Sequence, residues 1–145
     1  MNDVMTNASP AAPTATTPFM KGADKLGPLA SRYVEVESLP WKPTPCAGID
    51  MKILVEDPHT GLMTALFRWQ PGSELGLHEH VETEQTFVLE GSLVDEEGEV
   101  TAGNYVWRPK GSRHIARSPN GALVLSMFLR PNIFLSGPAD GQQLR

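Results

Sequence analysis

The chain holds a single cysteine, Cys46, so no intramolecular disulfide can frame its fold. A lone thiol also fits a reducing compartment, and Cys46 reads as a small, partly buried side chain. No run of apolar residues approaches the ~20 needed to cross a bilayer as a helix. Basic residues are scarce: 12 Lys and Arg stand against 17 Asp and Glu, a net charge of −5. A chain without a basic patch is not expected to bind nucleic acid or a membrane surface. The first twenty residues lack the basic and apolar regions of a secretory signal. The expectation is a cytoplasmic protein. A sustained helical stripe is missing too, and only residues 23–31 leave room for a turn or two.

At 145 residues the chain is of single-domain size. Residues 1–22 are rich in Ala, Thr and Pro and offer little to bury, so they are expected to be disordered or arm-like. Docking of this arm on a partner subunit is the alternative. The domain is expected to span residues 23–145.

What the chain does contain is punctuation. Thirteen glycines and thirteen prolines cut it into short segments. Alternation predicts strands at 33–37, 49–55, 62–70, 78–80, 85–89, 93–95, 99–101, 103–107, 114–117 and 122–129. Asp57-Pro58-His59-Thr60-Gly61 is a turn by composition, which makes 49–55 and 62–70 a hairpin. Gly91 is expected to end its strand. Many short strands without helices predict an all-β sandwich or barrel.

Histidine carries the chemistry. His78 and His80 stand two apart, so on a strand both side chains leave the same face. A helix would need a spacing of four. Glu84 follows, and His114 arrives after a second glycine-and-proline turn. Three imidazoles and a carboxylate form a plausible ligand set for a divalent transition metal. The fourth histidine, His59, lies in the Asp57–Gly61 turn and reads as exposed. Glu79 and Glu82 should point away from the histidines. Asp95, Glu96, Glu97 and Glu99 read as a solvated hairpin tip.

Two segments carry a family resemblance. Gly72-x5-His78-x-His80-x3-Glu84-x6-Gly91 resembles the first cupin motif, and Gly103-x5-Pro109-x-Gly111-x2-His114 resembles the second. The usual Asn four residues later is Ser118 here. The resemblance implies a single cupin jelly-roll β-barrel, a homodimer, and one metal held by His78, His80, Glu84 and His114. Fe(II) is the first choice, with Zn, Mn or Ni as alternatives. An octahedral ion with four protein ligands keeps two open positions, whereas tetrahedral Zn with the same four is closed.

Two groups within the superfamily are similar to this chain. One is the cupin domain of zinc-binding anti-sigma factors, through Leu89-Glu90-Gly91 and the acidic turn after it. The other is the acetylacetone-cleaving dioxygenases, through Thr64–Phe67 and Phe128–Phe134. The latter bind iron with three histidines and no glutamate, which makes Glu84 a departure. The leading expectation is an Fe(II)-dependent dioxygenase acting with O2 on a small, diketone-like molecule. A zinc-binding or ligand-sensing cupin without turnover, or a metal-dependent isomerase, are the alternatives. Arg68 is the expected polar handle for substrate, and Trp69, Trp107 and Phe128 the expected pocket walls.

Overall fold

A computed structural model describes residues 13–144; the first half of the expected N-terminal arm lies outside them. Ten strands run in chain order: β1 Lys42–Pro43, β2 Ile49–Glu56, β3 Met63–Trp69, β4 Ser73–Glu79, β5 Glu84–Val94, β6 Glu99–Thr101, β7 Tyr105–Arg108, β8 Arg113–Ser118, β9 Ala122–Phe128 and β10 Ile133–Phe134. All pairings are antiparallel, in the order β1-β2-β3-β9-β5-β8-β4-β10, with β6 and β7 also on β5. Among the described residues, no helix is long and apolar enough to cross a membrane.

Strand β5 belongs to two sheets. Its first half pairs with β7 and β9, and its second half with β6 and β8. The sequence reading cut it at Gly91; the chain instead bends there and continues. Gly91 has φ +69°, and a Cβ would meet the carbonyl oxygen of Gly121 at 2.0 Å. Only glycine lets the two backbones pass this closely.

The sheets curl into a cupin β-barrel whose interior is the core. Strands β3 and β9 alternate buried and half-buried without a break. Met63, Ala65, Phe67 and Trp69 therefore point inward, against Val124 and Phe128 from β9. Phe67 and Phe128 meet edge to face at 5.9 Å, a favoured aromatic geometry.

One predicted strand does not form. Residues 33–37 alternate in sequence, yet Tyr33 is exposed and Val36–Ser38 is a 3-10 turn. No neighbouring strand pairs with this stretch, so alternation alone has nothing to bury against. The turn instead caps the outside of β2: the Lys52 ammonium donates to the Val36 carbonyl at 2.9 Å and sits over the Trp41 ring. Residues 14–17 run beside the end of β2, where Thr16 bridges to Glu56 and the Thr14 hydroxyl donates to Asp57.

Candidate metal centre

Strand parity brings the histidines together, with help from one irregularity. Along β4 the buried residues are Ser73, Leu75 and then His78, a break in the two-residue step. The ladder to β8 shifts register between Leu75 and His78. This bulge adds one residue and resets the phase, so that His78 and His80 face the interior. Without it they would face solvent. His78 stands opposite His114 on β8.

The ring centroids of the three histidines lie 4.5–5.0 Å apart, and one ligand atom from each lies within 4.8 Å of the others. All three residues are buried. Their outer nitrogens are all taken. His78 Nδ1 bonds the Gly76 carbonyl at 2.7 Å, His80 Nδ1 the Ser112 carbonyl at 2.9 Å, and His114 Nδ1 an Asp95 oxygen at 2.8 Å. Carbonyl and carboxylate oxygens only accept, so each Nδ1 carries its proton. Each neutral ring then turns an Nε2 lone pair toward the other two. That is the tautomer a metal ligand needs.

Glu84, the first residue of β5, stands beside this set. Its Oε2 lies 3.2 Å from His80 Nε2, yet that nitrogen is buried and makes no hydrogen bond. A lone pair facing a carboxylate at this distance is repulsive unless positive charge lies between them. A proton or a cation satisfies it, and two further Nε2 lone pairs make a cation the better fit. The residues present therefore suit a divalent metal. Glu84 itself is not in the group whose ligand atoms are all within 4.8 Å. It is tied back: Asn132 Nδ2 donates to its Oε2 at 2.8 Å, and the Thr86 hydroxyl to its Oε1 at 3.1 Å.

Burial dominates the titration of His78 and His114. It pushes His78 down to about 4, with the neighbouring imidazoles adding to the effect. It also lowers His114, where the Arg108 charge acts in the same direction. For Glu84 burial pulls upward, but positive charge at His80, a proton or a cation on Nε2, together with the Asn132 amide outweighs it and holds the carboxyl at about 2. A linkage prediction follows for the metal-free protein. The unfolded chain gains protons on these histidines below its ordinary value near 6.5, while the fold resists until about 4 at His78. Stability should fall as pH drops through that window, by about 3 kcal/mol from His78. Urea melts of the apoprotein at pH 7 and pH 4.5 check this; equal midpoints would contradict it.

The cavity beside the histidines is small, about 30 Å³, enough for one or two waters. Its walls include Phe67, Trp69, Val124 and Phe128, with Glu84 and Arg108 as charged groups. Of the four residues expected to form a substrate pocket, Trp69 and Phe128 line this cavity. The other two expectations need correction. Arg68 lies between the inward Phe67 and Trp69, so parity turns it outward. There it stacks on Trp41 at 4.2 Å and pairs with Asp50 at 3.3 Å. Trp107 is 58% exposed, because β7 turns Val106 and Arg108 inward instead.

The cavity-facing arginine is thus Arg108, which the sequence reading missed. The signal was available: Arg108 is two residues from Val106 and pairs with Glu84 across the ladder. Asp95 was also misjudged as a solvated tip residue. Its side chain is 4% exposed and bonds both His114 and Arg108. His59, Glu79 and Glu82 fall where expected. His59 is exposed in its turn, and the two glutamates pair with Arg113 and Lys110 at the surface. Ser118, in place of the usual Asn, is fully buried and donates to the Ser92 carbonyl at 2.8 Å.

Fold and site together define a cupin with three inward histidines that could hold a metal ion. The chain belongs to the ChrR Cupin-like domain family, which it matches over residues 29–132. No curated protein matches it. Solved structures similar to it include an acetylacetone dioxygenase from Acinetobacter johnsonii, at 23% identity and a TM-score of 0.70, covering 79% of this chain and 85% of that one. A candidate acetylacetone dioxygenase from Methylibium petroleiphilum PM1 is 24% identical, with a TM-score of 0.70 and coverage of 80% and 88%. The complex of Rhodobacter sphaeroides SigE with the anti-sigma ChrR matches at 21% identity and a TM-score of 0.55, over 65% of this chain and 50% of that one. At these identities the likeness shows the fold.

Proposed function

We propose that this chain is an Fe(II)-dependent dioxygenase of a small, oxygen-rich, diketone-like substrate, with His78, His80 and His114 as its metal ligands. The observation that supports it best is the position of Glu84. Asn132 and Thr86 restrain its carboxylate, which lies 3.2 Å from His80 Nε2 but is not among the ligand atoms that all fall within 4.8 Å of one another. Three protein ligands leave more of an octahedral ion free than four do, as a chelating substrate and O2 together require. The fully closed shell of structural zinc is correspondingly disfavoured.

Bound iron would supply Lewis acidity and one-electron chemistry with O2. The chain supplies the rest. The three Nε2 atoms bind, each fixed by the partner of its Nδ1. Phe67, Val124 and Phe128 give the small cavity apolar walls that limit the water in it, which strengthens the charge interactions inside. Glu84 is ionised and, held so low, is a weak base. Its part is charge: it offsets the cation and repels an anion from its own side. The present cavity is tight, so the substrate must be small or the lining must shift on binding.

The family match and the SigE–ChrR likeness favour one second reading, a zinc-binding regulatory cupin without turnover. Oxygen uptake separates the two. Protein loaded anaerobically with Fe(II) should consume O2 when given pentane-2,4-dione or a related diketone. Tightly retained zinc with no O2 uptake after iron loading would favour the regulator. The expected homodimer belongs to this proposal. Light scattering should return about twice the 15.8 kDa chain mass, and the single mass would remove it.

A further inference from the structure

We infer that Asp95 is a positioning residue that fixes His114 for metal binding. The inference rests on the three-histidine metal reading above. It concerns one side chain outside the ligand set.

The three histidines are not held alike. His78 and His80 are oriented by neutral acceptors, the Gly76 carbonyl and the Ser112 carbonyl and hydroxyl. Only His114 is held by a carboxylate. A carboxylate accepting the Nδ1 proton fixes the ring and makes the opposite nitrogen a stronger donor. His114 should therefore be the most strongly donating imidazole of the three.

Asp95 is committed on both oxygens. Oδ2 accepts from His114 Nδ1 at 2.8 Å and meets Arg108 Nη1 at 2.7 Å. Oδ1 accepts the backbone N–H groups of Glu97 at 2.8 Å and Gly98 at 3.1 Å. Four donors thus converge on one side chain, which is 4% exposed. Only a carboxylate offers two accepting oxygens and no donor. This explains why the turn between β5 and β6 begins with Asp.

Asparagine shows the logic by failing it. If its oxygen stayed in the turn, its NH2 would face His114 Nδ1. The ring would then have to move its proton to Nε2, the atom that must bind metal. If the amide flipped, its NH2 would face the N–H groups of Glu97 and Gly98, and the turn would open. Glutamate keeps both acceptors on a stem one methylene longer.

A residue that served only the turn would behave differently. Its loss would lower the melting temperature and leave the affinity of folded protein for metal unchanged. The test is a Co(II) titration of apoprotein, followed by visible absorption, on wild type, Asp95→Asn and Asp95→Glu, with circular dichroism melts of each apo form. The expected result is a loss of affinity of about 10–100-fold in the Asn variant and a changed Co(II) spectrum. The Glu variant should fall between the Asn variant and wild type. If Asp95→Asn does not fold, Asp95→Glu carries the comparison: weakened binding with an altered spectrum supports the inference. Folded Asp95 variants with wild-type affinity and spectrum would overturn it. Wild type that binds no Co(II) would instead sink the metal reading itself.

Discussion

His114→Ala should lose metal by a factor of roughly a hundred or more while keeping the barrel. A structural zinc site binds with ~10–16 kcal/mol, about 3 kcal/mol for each of its four ligands, and a three-histidine site depends on each ligand at least as much. The structure makes this ligand hard to replace. His114 faces His78 across the β4–β8 ladder, and the nearest other donor, Glu84, is bound to Asn132 and Thr86. The fold should survive, because Asp95 keeps its Arg108 partner and its turn contacts. Deleting a buried imidazole still costs stability, on the order of 1–3 kcal/mol. Metal analysis after dialysis, together with far-ultraviolet circular dichroism, reads both effects. Unchanged metal stoichiometry in a folded variant would show that His114 is not a ligand.

Gly91→Ala should be the most damaging single substitution in the barrel. The added Cβ would lie 2.0 Å from the Gly121 oxygen and 2.9 Å from its carbon. Both are backbone atoms where β5 and β9 pair, and neither can swing aside. The φ of +69° adds its own strain. An expected loss of about 4 kcal/mol or more is most of the ~5–15 kcal/mol that holds a domain folded. Gly103→Ala provides the control. Gly103 has φ +84°, but nothing lies within 4 Å of its absent Cβ, so it should lose only ~1 kcal/mol. Equal melting temperatures for the two variants would refute the close-packing argument.

These positions show what a sequence can and cannot reveal. The fold and the histidines were legible because they rest on local rules: strand parity, turn residues and a spaced motif. Sequence marks Gly91 as a break, whereas in the fold β5 runs through it. A glycine that ends a strand and one that lets two paired backbones approach closely look alike until the second backbone is present. Residues 33–37 fail for a related reason, since alternation predicts a strand only where a partner exists. Arg68 was wrong by one step of parity. Its neighbours Phe67 and Trp69 are the larger apolar groups, and they take the interior. Asp95 and Arg108 were lost among other charges. Asp95 is one of four acidic residues between positions 95 and 99 of which only it turns inward, and that turn depends on His114, nineteen residues away.

Glu84 lay at the centre of the sequence reading and stays there. Its identity as a motif residue was plain. Its restraint by Asn132, forty-eight residues further on, was not. The three-histidine proposal rests on that restraint.

The most direct test of the account is X-ray absorption at the metal edge of protein loaded with one equivalent of Fe(II). Three imidazole ligands on a single metal, all lost as a set only when the histidines are replaced, is the predicted result. A metal with fewer than three imidazoles, or a chain that takes up none, would contradict it.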